Sequence, residues 1–318
     1  MDGYRRVKVR GIRQVTPQVN VYELVAQEGA LPVFDAGAHV NVAVGEGLVR
    51  SYSLCNDPVE RNRYVIAVKR EDAGRGGSRM LHERVREGDA LFISEPRNNF
   101  PLRDDAPFSL LIAGGIGITP LLSMLRVLVR NGRNALLHVC TRSPDDTPFR
   151  DELAQVPLAG RVRFHYDGGV PGQGADLGAL LRERPEGAHL YCCGPNGLMN
   201  AVRQHAAHWP AETLHFESFG GNVVDKPVRE DTPFEVEVKR SGRVLTVPPG
   251  KSLLHVLLDN GVYVESSCEE GTCATCVVRV LEGAPEHRDT VLSEGERAQG
   301  KMCSCVSRAC SKRLVLDL

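Results

Sequence analysis

The sequence predicts a multidomain fold: an antiparallel β-barrel, an α/β doubly wound domain, and a small domain built from a hairpin and a helix. Three observations carry this expectation. Short strand-like runs with Gly and Pro between them fill residues 1 to about 103, a spacing that suits a small antiparallel barrel. From about Pro107 to Gly221 apolar runs alternate with helix candidates, the rhythm of a parallel sheet covered on both faces. After a polar stretch the pattern becomes hairpin, helix and a loop rich in cysteine. A chain of 318 residues is also long for a single core.

In the first segment the strand candidates are Tyr22–Ala26, His39–Val44, Tyr64–Val68 and Ala90–Ser94, with one helix over Ser78–Val85 placed to cover a barrel end. In the second, the strands are Ser109–Ala113, Leu136–Cys140, Val162–Tyr166, His189–Cys193 and Leu214–Phe216. Helices are expected over Pro120–Arg130, Phe149–Val156, Asp176–Arg182 and Gly197–Ala207. Ligands of such sheets sit at the carboxyl ends of the strands. Asn222–Asp231 is polar, contains Pro227 and reads as a linker. Phe234–Lys239 and Val244–Val247 then form a hairpin around Ser241-Gly242, and Ser252 opens an apolar helix that stops near Asn260-Gly261. Domain boundaries are therefore expected at 1–103, 104–221, 222–232 for the linker, and 233–318.

Composition excludes several classes. With 42% hydrophobic and 25% charged residues and a formal net charge of −1, nothing favours a nucleic-acid or acidic-membrane partner. No apolar run approaches the length of a membrane span, and the start has no signal-peptide core. Ten cysteines in such a chain imply a reducing compartment, and a cytoplasmic location is expected.

Four of those cysteines carry chemistry. Cys268, Cys273 and Cys276 are separated by four residues and then two, and Cys305 follows after a gap of 28. This is the plant-type spacing for a [2Fe–2S] cluster. Gly271, Thr272, Ala274 and Thr275 are small enough for the loop backbone to wrap inorganic sulfide. A structural zinc site is the competing reading, but its Cys pairs usually lie two to four residues apart. A hairpin, a helix and such a loop together resemble a β-grasp ferredoxin.

Two glycine-rich strand ends point to a dinucleotide. Ile112-Ala113-Gly114-Gly115-Ile116-Gly117-Ile118-Thr119-Pro120 leads from a buried strand into a helix, with Thr119 expected as N-cap and Pro120 as first helical residue. Taken alone it is equally well a tight strand–helix turn. Tyr191-Cys192-Cys193-Gly194-Pro195-Asn196-Gly197-Leu198-Met199 follows a later strand and opens another helix, so the two ends can clamp a ligand between them. Beside Gly194-Pro195, Cys193 reads as a nicotinamide contact, although a thiol in a strand is commonly a small core residue.

A nicotinamide delivers two electrons at once and a cluster accepts one, so a flavin is required between them. The candidate is Arg50-Ser51-Tyr52-Ser53-Leu54: Arg50 for a phosphate, Tyr52 along the ring and Ser53 at the N5 edge. Read alone, it is an ordinary strand with one exposed Arg.

Arg-x-Tyr-Ser-Leu, Gly-Gly-Ile-Gly-Ile-Thr-Pro, Cys-Gly-Pro and the C-terminal cysteines, in this order, resemble the phthalate dioxygenase reductase family, to which vanillate demethylase and phenoxybenzoate dioxygenase reductases also belong. The resemblance spans the whole chain and implies an FMN-binding barrel, an NADH-binding α/β domain and a fused [2Fe–2S] ferredoxin. It places FMN contacts on Arg50, Ser51, Tyr52, Ser53, Ala67, Val68, Lys69, Gly76, Gly77, Ser78, Thr119 and Phe219. NADH contacts fall on Gly115, Gly117, Thr141, Arg142, Asp167, Cys193, Gly194, Pro195 and Met199. Ser53 and Cys193 take the catalytic positions. Arg142 reads equally as a solvated charge; no second basic residue accompanies it, and Asp167 would repel a 2′-phosphate, so NADH is expected over NADPH.

The metal ligands are Cys268, Cys273, Cys276 and Cys305; the family places the last directly before Val-Ser-Arg-Ala, which selects Cys305 and makes Cys303 a bystander. Electrons would run from NADH through FMN and the cluster to a Rieske-type oxygenase or demethylase component in aromatic degradation, met transiently by a monomer. Glu265, Glu269 and Glu270 could steer that docking, or form an ordinary solvated loop. A different acceptor protein, such as a cytochrome, is the alternative, and a zinc-bearing binding protein the non-enzymatic one.

Overall fold

The chain forms two compact units, Met1–Glu46 with Ser51–Phe219, and Gly220–Leu318 with Gly47–Arg50. The computed structural model describes residues 4–45, 48–72, 76–103, 105–170, 172–219, 231–266, 269, 271, 274–289 and 291–318. The linker expected at 222–232 lies outside the described residues up to position 230.

The N-terminal sheet contains β1 (Tyr4–Thr16), β2 (Val19–Ala26), β3 (His39–Gly45), β4 (Leu48–Ser53), β5 (Tyr64–Lys69) and β6 (Ala90–Ser94), in spatial order β4-β3-β6-β1-β2-β5. β1 is absent from the sequence expectations although it is 13 residues long. Its Val7 and Val9 point inward between exposed Arg6, Lys8 and Arg10, so the basic residues outweigh a short apolar alternation. The sheet curls until its two ends meet at an antiparallel bridge between Leu54 and Ile66, backed by the Cys55 N–H donating to the Val65 carbonyl at 2.9 Å. α1 (Gly77–Arg84) packs on the barrel through buried Leu81, and His82 Nε2 donates to the Val68 carbonyl at 2.9 Å.

Five parallel strands follow: β7 (Ser109–Gly114), β8 (Ala135–Thr141), β9 (Val162–Tyr166), β10 (His189–Cys193) and β11 (Leu214–Glu217), ordered β11-β10-β7-β8-β9. They alternate with α2 (Ile118–Arg130), α3 (Arg150–Leu153), α4 (Leu177–Leu181) and α5 (Asn196–His205). The order reverses between β7 and β10, which makes their carboxyl ends the switch point of the sheet. Alternation along each strand sorts the core: Leu111, Ala113, Leu137 and Val139 pack with α2, while Leu110, Ile112, Leu190 and Cys192 pack with Leu181, Met199 and Val202.

α2 differs from expectation at its start. A 3-10 turn over Gly115–Gly117 begins the coil early, the helix opens at Ile118 with Gly117 as N-cap, and Thr119 lies inside it. The Thr119 hydroxyl donates to the Ile116 carbonyl at 3.1 Å and caps no N–H. The helix also joins the two sheets. Its Leu121, Leu122, Leu125 and Leu128 share one core with Val19, Val21, Cys55, Ala67 and Phe100 of the barrel segment. Ser123 Oγ donates to the Asn56 carbonyl at 2.9 Å, and Arg126 Nη1 to that of Cys55 at 2.6 Å.

The second unit contains β12 (Phe234–Val238), β13 (Arg243–Val247), α6 (Leu253–Asp259), β14 (Val277–Glu282), β15 (Pro285–Glu286), α7 (Glu294–Ala298), β16 (Lys301–Cys303), β17 (Arg308–Ala309) and β18 (Arg313–Leu316). Five strands form the sheet β13-β12-β18-β14-β16, with β12 and β13 a hairpin and β18 parallel to β12. The Ser252 hydroxyl caps α6 by accepting the His255 N–H at 3.2 Å, and Gly261 (φ +72°) follows the helix, so both sequence signals act as expected. Leu253, Leu254 and Leu257 bury against Val236, Val278, Met302 and Leu314. The fold class is the one expected: antiparallel barrel, doubly wound α/β domain and β-grasp. Among the described residues no helix is long and apolar enough to cross a membrane.

Candidate functional site

The barrel seam and the carboxyl ends of the parallel sheet bring the first group of residues together. The Leu54–Ile66 bridge links the end of β4 to β5, the two edge strands of the sheet. The bridge is antiparallel and joins the residue after Ser53 to the one before Ala67. Arg50 and Tyr52 are half-buried, and Ser51 Oγ donates to Asn41 Oδ1 at 2.7 Å. Ala67 and Val68 are buried, whereas Lys69 reaches outward to Glu71 at 2.7 Å. Gly76 turns the chain into α1 with φ +85° and open space beside it, and Ser78 Oγ accepts the Glu71 N–H at 3.0 Å. Arg75 lies outside the described residues.

Ser53 is buried at the inner end of this seam. Its hydroxyl adjoins the carboxyl of Glu217, the last residue of β11, whose Oε2 is also buried. Burial pushes the Glu217 carboxyl up to about 8, and the nearby Ser53 hydroxyl only eases the shift. Register puts Glu217 beside Cys193 on β10. The Cys193 thiol is pushed well up, first by burial and then by the Glu217 and Cys192 charges, so it stays protonated. Phe219 follows at the end of β11 and is exposed. A buried hydroxyl and a buried carboxyl side by side at the inner end of a barrel seam fit a planar ligand with a polar edge, as a flavin has. Glu217 is not among the site residues expected from the sequence; an acidic residue ending a half-buried edge strand of a parallel sheet is the available signal.

The two glycine-rich strand ends do more packing than the sequence implied. A methyl on Gly117 would lie 2.2 Å from the Cys193 carbonyl oxygen, and one on Gly194 would lie 2.8 Å from the Gly114 Cα. These glycines let β7 and β10 close on each other, and Pro195 joins the contact at Gly114. Gly115 alone combines φ +53° with open space. Thr141 is buried, 2.7 Å from the Thr147 hydroxyl, and Arg142 is exposed. Asp167 Oδ1 accepts the Gly169 N–H at 2.7 Å and so shapes the turn after β9. Met199 is fully buried behind the sheet with Ile112 and Val202, as a core residue.

In the second unit Cys276 and Cys305 converge, Sγ to Sγ 3.1 Å apart and both buried. Ser304 ties the two arms, its N–H and hydroxyl donating to the Cys276 carbonyl at 3.1 and 2.8 Å. The Cys303 thiol is buried and donates to Cys276. Hydrogen bonding with Cys303, and next with Cys305, holds Cys276 far below the usual thiol range, while the contact with Cys276 and burial push Cys303 up. Glu269, Gly271 and Ala274 all have φ between +59° and +71°, a tightly wrapped backbone that non-glycine residues adopt only when their surroundings impose it. Cys268, Cys273 and Glu270 lie outside the described residues. Converging buried thiols on a wrapped loop fit the donor chemistry of an iron–sulfur cluster.

Comparison with known proteins agrees with these features. Residues 236–310 match the 2Fe-2S iron-sulfur cluster binding domain family, and residues 111–171 the oxidoreductase NAD-binding domain family. The chain is 48% identical over 320 residues to the tert-butanol monooxygenase / tert-amyl alcohol desaturase reductase subunit of Aquincola tertiaricarbonis, covering 96% of this chain and 95% of that one. It is 46% identical over 319 residues to phthalate dioxygenase reductase of Burkholderia cepacia, covering 100% and 98%. A solved phthalate dioxygenase reductase, a modular structure for electron transfer from pyridine nucleotides to [2Fe–2S], superposes with a TM-score of 0.76 at 46% identity, covering 100% of this chain and 98% of that one.

Proposed function

The chain belongs to the phthalate dioxygenase reductase family, and from that membership we propose that it is an NADH-dependent reductase that feeds electrons to a Rieske-type aromatic-ring oxygenase or demethylase component. The observation that carries the reading is the coexistence, in one chain, of an NAD-binding match over 111–171, a cluster-binding match over 236–310 and a barrel seam ending in the buried Ser53 hydroxyl. Bound flavin supplies the conversion of a two-electron hydride into single electrons, and a bound [2Fe–2S] cluster supplies their relay outward.

The residues would act by holding and orienting. Arg50–Ser53, Ala67–Lys69 and the Gly76–Ser78 entry to α1 would hold FMN, with the phosphate at the start of α1, where free N–H groups favour an anion. Ser53 would bond the reacting edge of the ring, and Thr119 and Phe219 would flank it. Gly115, Gly117, Thr141, Arg142, Asp167 and Cys193–Pro195 would position NADH, with Met199 supporting from beneath; proximity and orientation are the main contribution such a site makes. Asp167 would disfavour a 2′-phosphate. Cys268, Cys273, Cys276 and Cys305 would ligate the cluster. The partner would be met transiently by a monomer in the cytoplasm, with the flavin, nucleotide and ferredoxin domains at 1–103, 104–221 and 233–318.

The test is an anaerobic visible spectrum of the purified protein before and after one equivalent of NADH. Flavin bands and a broad cluster absorption, both bleaching, are expected. Flavin bands alone would mean that the cysteines hold zinc or nothing, and a colourless protein after reconstitution with iron, sulfide and flavin would overturn the reading.

A further inference from the structure

A carboxylate lies buried in the second unit away from its surface ion pairs. Asp289, between β15 and α7, is 1% exposed, and a charge so placed persists only with fixed partners. Its Oδ2 accepts the Leu292 N–H at 3.0 Å and Arg297 Nη2 at 3.2 Å, and Arg297 Nη2 also donates to the Asp289 carbonyl at 3.0 Å. Its Oδ1 accepts the Ser307 hydroxyl at 3.4 Å and lies 3.6 Å from His287 Nδ1.

These contacts reach both arms of the cysteine set. Ser307 stands two residues after Cys305, and its oxygen also accepts the Arg288 N–H at 3.2 Å. On the other side Gly271, between Cys268 and Cys273 in sequence, presses on Asp289. A methyl on Gly271 would lie 2.9 Å from the Asp289 Cα and 2.7 Å from Val306 Cγ2. Among the described residues Asp289 thus lies against Gly271 of the three-cysteine loop and bonds Ser307 beside the Cys305 arm, and its charge sits in low-dielectric surroundings where charges act strongly.

Resting on the reading of Cys268, Cys273, Cys276 and Cys305 as [2Fe–2S] ligands, we propose that Asp289 is a positioning residue of the cluster site. It clasps Gly271 to the Cys305 arm through Ser307, and its buried negative charge makes the cluster harder to reduce.

The test compares full-length wild type, Asp289→Asn and Ser307→Ala. Cluster reduction is followed by electron paramagnetic resonance in an anaerobic redox titration, and iron release is timed with a chelator. NADH-dependent bleaching of the flavin bands checks that the flavin and nucleotide domains are intact, and far-ultraviolet circular dichroism that the rest of the chain is folded. Asp289→Asn should keep its iron and sulfide but raise the reduced-to-oxidised ratio at a fixed potential by up to about tenfold, equivalent to about 59 mV for one electron. Ser307→Ala should release iron several-fold faster while its potential stays at the wild-type value, because the charge remains. Wild-type potential in Asp289→Asn together with wild-type release in Ser307→Ala would overturn the proposal. Should Asp289→Asn not retain its cluster, the release rate of Ser307→Ala decides: faster supports the clasp, unchanged overturns it. Wild-type protein with flavin bands but no iron or sulfide would instead overturn the ligand assignment, and the clasp with it.

Discussion

Three sulfurs crowd the described part of the cysteine site, and only two of them are ligand candidates. Cys276 and Cys305 lie 3.1 Å apart, while Cys303 donates to Cys276 from a fully buried position. Cys305→Ser is therefore expected to lose or strongly destabilise the cluster, whereas Cys303→Ser removes one S–H donor and keeps it. Iron and sulfide analysis of both variants checks this, and equal contents would refute the assignment. Glu217 carries a second expectation. Burial raises its folded-state carboxyl from 4.5 to about 8, so the folded state holds a proton that the unfolded state has lost between those values. Stability should fall as pH rises from about 4.5 through about 8 and then level off. Glu217→Gln should flatten that fall, as read from Tm across the window; an unchanged slope would mean that another group is responsible.

At the scale of elements, β7 and β10 approach closely because glycine occupies both sides of the contact. In Gly117→Ala the added methyl would meet backbone, at 2.2 Å from the Cys193 oxygen, and backbone cannot swing aside as a long side chain does. Overpacking of this kind costs about 1–3 kcal/mol. Urea unfolding should show that loss, and the displaced Cys193–Pro195 strand end should raise the KM for NADH more than it lowers flavin content. Much of this was legible in the sequence: the strand-to-helix order, the Ser252 cap and the glycine-rich turns depend on contacts within a few residues. β1 and the true start of α2 were not. The inward face of β1 rests on Val7 and Val9 among basic residues, and the 3-10 turn at Gly115–Gly117 reflects the packing of β7 on β10.

For the whole molecule, each compact unit has its own core: one around α2 and the parallel sheet, another around α6, β12, β14 and β18. A chain ending after Phe219 is expected to fold and to retain NADH-dependent flavin bleaching without the broad cluster absorption. An aggregated product, or one without flavin, would show that the first unit depends on the second. The sequence by itself determined the architecture and the cluster-type thiol spacing, because periodicity, turn chemistry and ligand spacing are local properties of the chain, while the flavin and nicotinamide followed from the resemblance of its motifs, taken together, to a family. Tertiary structure alone decided that Ser53 from the barrel meets Glu217 of the parallel sheet, the register partner of Cys193, and that Asp289 lies against Gly271 and bonds Ser307. Those groups are far apart in sequence, and their protonation and contacts are consequences of burial, which exists only once the sheets have closed over them.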